Sequence, residues 1–179
     1  MRFSRIVGSL LSAAAAVLAQ EVDGYITIKH DIFVASIPAQ WSGALELSHW
    51  LEPGEETIVP YSPIGAGTSI KISRDTDLTH GILQFEYTNN VLGPNQGCEI
   101  YLNLSDVDGR KSGEPGSPFI DAHINYYPVG VGSETCNMDI LECLPWVECE
   151  AAFRHAWDNK KVHSCNKRPE GFVIELHQD

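Results

Sequence analysis

Short apolar or alternating runs, each cut off by Gly, Pro, Asn or Asp, decide which folds are open to this chain. Gly24 to Val34 is rich in β-branched and aromatic residues and reads as a strand, as does Gly43 to Trp50, which closes on the turn Glu52-Pro53-Gly54-Glu55. Glu56 to Pro60 and Ser69 to Ser73 have the same character. Gly81 to Thr88 and Glu99 to Leu104 flank the turn-rich stretch Asn89 to Gly97, the pattern of a hairpin with a long loop. Ile120 to Tyr127 and Phe172 to Leu176 add further strands. Seven or eight short strands separated by turn signals predict an all-β sandwich or barrel. Arg110 to Pro118 reads as a Gly/Pro/Ser loop, and the cysteine-bearing stretch Cys136 to Asp158 leaves room for a short helix around Val147 to Trp157.

The first twenty residues have a different character. Arg2 and Arg5 form a cationic head, Ile6 to Leu18 an uninterrupted run of apolar and small residues, and Val17-Leu18-Ala19 a cleavage site of small residues. That order predicts a signal peptide over residues 1–19, and its apolar run is too short to span a bilayer stably. Cleavage after Ala19 leaves 160 of the 179 residues, expected to form one β domain over 20–179. The expected destination is outside the cell, in the medium or the cell wall.

Charge narrows the partners. The chain carries a net −12 with His neutral, and loss of the two leader arginines takes it to −14. Such a balance argues against nucleic acid and against anionic membrane surfaces. It suits cationic ligands or neutral polyhydroxyl compounds. The five cysteines, Cys98, Cys136, Cys143, Cys149 and Cys165, all lie beyond the leader, where an oxidising compartment closes pairs. Because five is odd, one thiol is left over, and the isolated Cys98 is the natural candidate.

Catalytic and metal-binding motifs are sparse. The chain has no G-x-S-x-G elbow and no H-E-x-x-H. His155, His163 and Cys165 lie near one another in sequence, but an exported cysteine is more readily a disulfide partner than a zinc ligand. A copper site built on an N-terminal histidine has no support, because Gln20 becomes the expected mature terminus. Asp106-Val107-Asp108-Gly109 lacks the remaining ligands of a calcium loop and reads as an Asp-Gly turn. No metal and no cofactor are expected. Asn103-Leu104-Ser105 is a glycosylation sequon, which a strand-embedded position can leave bare. Glu86 and Asp108 occupy polar positions of neighbouring strand-like segments. Paired carboxylates across a groove can work on a glycosidic bond as acid and base or nucleophile, or simply accept hydrogen bonds from sugar hydroxyls. The plainer alternative is a solvated strand face.

Several of these residues together resemble the thaumatin-like proteins. Tyr101 to Gly109, with Pro118-Phe119 after a loop, is similar to that family's strand ending in S-x-V-D-G followed by proline. Glu86 within Phe85-Glu86-Tyr87 stands where the family carries a glutamate, and Ile72-Ser73-Arg74 resembles the strand with the family's arginine. Cys149 to Asp158 resembles the C-P-x-A-Y-S-Y…D element, and His163-Ser164-Cys165 the closing T-F-T-C. The resemblance runs from about Gly24 to His177 and is nearest to the small secreted fungal branch, the antigenic thaumatin-like proteins related to the Blastomyces yeast-phase-specific protein. It implies a thaumatin-like β-sandwich with a small disulfide-linked lobe, and the pairs Cys136–Cys165 and Cys143–Cys149. It also implies an acidic cleft in which Glu86, Asp108 and Asp158, with Arg74, meet the ligand, and in which Asn103 replaces a fourth acid. The family's bridge between first and last strands has His30 and His177 at its two positions.

The function this implies is a monomeric fungal protein of the cell surface or wall that binds β-glucan or another extracellular ligand, in development or host contact and so in virulence. A weak endo-β-1,3-glucanase, with Glu86 as acid and Asp108 as base or nucleophile, is one alternative. A host-directed effector or adhesin with a protein receptor is the other, its contact surface an aromatic patch drawn from Trp41, Trp50 and Trp146, which core packing would otherwise claim.

Overall fold

The computed structural model of the protein describes residues 24–30, 34–40, 49–65, 67–74, 81–90, 97–110 and 114–178, with side chains described at 24–29 and from 51 onward. The expected leader and Trp41 lie outside the described residues, as does most of the Gly43 to Trp50 run.

Twelve strands account for most of the described chain. They are β1 (Tyr25–His30), β2 (Val34–Gln40), β3 (His49–Leu51), β4 (Glu56–Pro60), β5 (Gly67–Ser73), β6 (Ile82–Asn89), β7 (Ile100–Ser105), β8 (Ala122–Val129), β9 (Leu141–Cys143), β10 (Ala152–Phe153), β11 (His163–Cys165) and β12 (Gly171–Gln178). One sheet has the order β4-β1-β12-β8-β9; the other has β10-β7-β6-β5-β2-β3, with β11 also pairing β7. The all-β architecture read from the turn-punctuated runs is the one observed, and of sandwich and barrel it is the two-sheet form.

Alternation explains why the sheets stack. In β6, Leu83, Phe85 and Tyr87 point inward; in β7, Ile100, Leu102 and Leu104 do the same. From the facing sheet come Ile26 and Ile28 of β1, Ile124 and Tyr126 of β8, and Phe172, Ile174 and Leu176 of β12. Phe85 bridges the layers, its ring 5.7 Å from Phe172 and 6.1 Å edge-on from Tyr126. Both separations lie in the range where aromatic pairs attract beyond simple burial.

Two expectations need correction. The Gly24 to Val34 run is not one strand: β1 belongs to the five-stranded sheet and β2 to the seven-stranded sheet. A single continuous strand serves only one layer, whereas here the chain changes layers between them. The helix expected around Val147 to Trp157 is absent. Cys149 is buried and bonded to Cys143, and Ala152 and Phe153 pair in parallel with Leu104 and Ser105. Burial of Ala152 against the core and its ladder bonds outweigh the segment's helical tendency.

The disulfides Cys136–Cys165 and Cys143–Cys149 are those the resemblance implies, and Cys98 is the free cysteine among the described residues. The first and last strands described, β1 and β12, run parallel over six register pairs from Tyr25↔Gly171 to His30↔Leu176. His30 and His177 therefore stand one register step apart, and this junction inside the five-stranded sheet is held by strand pairing.

Candidate functional site

Since Leu83, Phe85 and Tyr87 face the core, Gln84, Glu86 and Thr88 must face outward. The same logic turns out Ser69 and Lys71 on β5, and Tyr101, Asn103 and Ser105 on β7. Strand register then lines these residues up in rows. Ser69, Glu86 and Asn103 form one row, and Lys71, Gln84 and Ser105 the next.

Side-chain bonds fix the rows. Asn103 Nδ2 donates to Glu86 Oε2 at 2.8 Å. Ser69 Oγ donates to Gln84 Oε1 at 3.1 Å, and Gln84 Nε2 donates in turn to Asp108 Oδ2 at 3.4 Å. Around the first row lies a groove of about 500 Å³, lined by Ser69, Glu86, Thr88, Tyr101, Asn103 and Val162 among others. Val162 comes from the other side of the groove, out of the lobe segment that leads into β11.

Asp108 is carried to this face by the turn after β7. Gly109 N donates to Asp106 O at 2.9 Å, and Ile82 N donates to Asp108 O at 3.2 Å, which ties the turn to the start of β6. Glu86 and Asp108 thus share one sheet face, with the Gln84 amide between them; the groove lining contains Glu86 but not Asp108.

The other two residues of the implied cleft are each engaged with a partner of their own. Arg74 follows β5, about 16 Å along the chain from Ser69 at strand rise. Its Nη1 donates to Asp121 Oδ2 at 2.9 Å and its Nη2 lies 2.8 Å from Asp121 Oδ1, with the guanidinium 5.1 Å from the Phe119 ring centre. The Arg74 hydrogen bond holds the Asp121 carboxyl below its ordinary value. Asp158 accepts from Arg154 N at 3.3 Å and from Lys161 Nζ at 3.2 Å, which organises the lobe loop. Those bonds, the backbone one foremost, lower its pKa as well.

The zinc-like trio also resolves into separate roles. Cys165 is in its disulfide, and His155 stacks on the Trp157 ring at 5.2 Å. Burial lowers the pKa of His163, whose ring sits 6.4 Å from that of Tyr126. Among the described residues no group of three or more His, Cys, Asp and Glu is placed to hold a metal ion, and no helix is long and apolar enough to cross a membrane.

No protein-family model matches the chain, and no curated protein does. The solved structures give a different answer. The chain shares its fold with the protein elicitor MoHrip2 from Magnaporthe oryzae. The superposition has a TM-score of 0.59 at 21% sequence identity, covering 87% of this chain and 98% of MoHrip2. Nearly the whole of MoHrip2 therefore has a counterpart here.

Residues that motif reading passed over complete the picture. Gln84 and Ser69 were recoverable by alternation, since Gln84 lies two before Glu86 on the same strand. Asp106 gives no such signal. It sits in a turn motif that reads as surface, yet it is fully buried.

Proposed function

We propose that this is a secreted fungal thaumatin-like protein that binds β-glucan, or a chemically similar extracellular polysaccharide, through the groove around Glu86 and Asn103. The observation that supports it most is the row Ser69, Glu86, Asn103. It offers a hydroxyl, a carboxylate and an amide in fixed register beside the half-exposed Tyr101 ring. Hydrogen-bonding groups of both senses next to an aromatic surface are what a sugar ring requires. The disulfides and the shared fold with a fungal protein elicitor agree with an extracellular setting. Asp108, held by Gln84, would widen the acidic rim. A glycan on Asn103 Nδ2 would fill the groove, so binding calls for an unmodified Asn103.

Co-sedimentation with insoluble β-1,3-glucan, run beside a reducing-sugar assay, tests this reading. Glucan binding that Glu86→Gln weakens at least tenfold, without sugar release, is the expected result. Sugar release that Glu86→Gln and Asp108→Asn each abolish would favour the glucanase reading instead. Absence of both would end the sugar-directed proposals.

One observation favours a receptor-directed reading beside it. Trp146 is 76% exposed and has a φ of 60°, a backbone region that bulky residues avoid. It is presented between exposed Leu144 and Val147 inside the loop closed by Cys143–Cys149. If the protein elicits a host response through that loop, Trp146→Ser removes the response in leaf infiltration while Glu86→Gln retains it.

A further inference from the structure

Beneath the lobe, three polar atoms are buried without a hydrogen-bond partner on another of the described residues: Asp106 Oδ1, Asp106 Oδ2 and Arg154 Nε. Asp106 cannot move away from this position. Its N donates to Phe153 O at 2.9 Å, and its carbonyl oxygen accepts from Gly109 N at 2.9 Å and from Gly116 N at 3.1 Å. The side chain is fully shielded from solvent. A buried ionised carboxylate with no donor is costly, and native proteins rarely leave one so.

We propose that Asp106 is a proton-operated latch between the sandwich and the disulfide lobe. With Asp106 protonated, the lobe packs onto β7 without a buried anion; with Asp106 ionised, the lobe must loosen to admit water or to turn Arg154 toward it.

The charged groups that act on Asp106 come from two lobe segments. Arg154 and Lys161 lie on the stretch around β10 and before β11, and Glu148 on the loop closed by Cys143–Cys149. Both cations are already engaged. Arg154 Nη2 pairs with Glu148, while Lys161 Nζ donates to Ala152 O at 2.7 Å and pairs with Asp158. Their partial hold on Asp106 is outweighed by desolvation, with Glu148 adding to it, and the Asp106 pKa is pushed up to about 6 from its ordinary 3.8. Because the folded value lies above the unfolded one, the native state binds the extra proton. Stability is therefore gained as pH falls through 6 and is lost again above it. From these two values the folding equilibrium constant should rise about tenfold between pH 7 and pH 5.

The latch has a place to act on the groove. Val162, next to Lys161, forms part of the groove wall, and β10 and β11 both pair with β7, the strand that carries Asn103. A lobe that tightens in acid stiffens that wall.

The experiment needs no ligand, so its failure is distinct from failure of the sugar-binding reading. Denaturant unfolding of the wild type and of Asp106→Asn is compared at pH 5 and pH 7. Hydrogen exchange of the amides that close the lobe, Asp106 and Asp158 foremost, is followed in parallel. The expected result is the tenfold gain in the wild type at pH 5, its loss in the variant, and lobe amides that exchange faster at pH 7 only in the wild type once intrinsic rates are corrected. Equal pH dependence in the two proteins would overturn the latch. Should Asp106→Asn fail to fold, a carbon-13 carboxyl titration of wild-type Asp106 decides the matter: a midpoint near 6 sustains the proposal, and one near 4 or below ends it.

Discussion

Asn103 and Glu86 stand directly opposite one another on β7 and β6, with the Asn103 amide donating to the Glu86 carboxylate at 2.8 Å. An aspartate at 103 would place two carboxylates in that cross-strand position. Like charges directly opposite destabilise a sheet by up to about 1 kcal/mol. Asn103→Asp is therefore expected to unfold at lower denaturant than the wild type at pH 7. Equal midpoints at pH 7 would mean that the pair is not closely held.

The turn that delivers Asp108 has no room for a side chain at Gly109. A Cβ built there would lie 1.5 Å from Gly116 O, a backbone atom that cannot swing aside. Gly109→Ala is expected to cost more than about 3 kcal/mol or to prevent folding, in the manner of severe overpacking. Thermal unfolding measures it, and a loss below about 1 kcal/mol would show that the loop shifts freely.

Arg74 belongs to a brace in this structure. Both partners of its ion pair with Asp121 are partly exposed, with side chains 37% and 25% accessible, so the pair is worth about 1 kcal/mol at most. Because the Asp121 pKa is depressed in the folded state, that contribution is present at neutral pH. It disappears as pH falls through the folded value. Arg74→Ala is expected to lose up to that amount at pH 7, to converge with the wild type in acid once Asp121 is protonated, and to leave polysaccharide binding unchanged. A large binding defect in Arg74→Ala with stability intact would return Arg74 to the ligand site.

The two disulfides should not be equivalent. Cys136–Cys165 spans 29 residues and ties the end of β11 beside β7, whereas Cys143–Cys149 closes a span of 6. Loop-closure entropy grows with span, so loss of the longer bridge in Cys136→Ala/Cys165→Ala is expected to cost about 3 kcal/mol, and loss of the shorter one less. Denaturant midpoints of the two double variants give the order. The reverse order would mean that packing around the short loop outweighs chain entropy.

Much of this architecture is legible from local chemistry. Runs such as Glu56 to Pro60 and Gly81 to Thr88 are rich in β-branched or aromatic residues, and the turns between runs carry Gly and Pro. Alternation on β6 and on β7 was enough to turn Glu86 and Asn103 outward, each on its own strand, while only the strand register set them opposite one another. The cysteine-rich segment was not legible in this way. Its residues suit a helix locally, and only pairing with β7 and the disulfides draw Ala152 and Phe153 into strand geometry. The fate of Arg74 and Asp158 was equally hidden, since their partners Asp121 and Lys161 are chosen by loop paths that local propensity does not encode.

By itself the amino-acid order determined most of the longer strands, the leader-like head, the surplus of acid and the alternation that separates core from surface. Tertiary structure alone decided which carboxylates meet. It left Glu86 beside Asn103, gave Asp158 to the lobe, and buried the Asp106 carboxylate with no donor from another described residue. The physical reason is range: alternation and turn preference act over a few neighbouring residues, while desolvation and ion pairing depend on chain segments brought together only when the two sheets close.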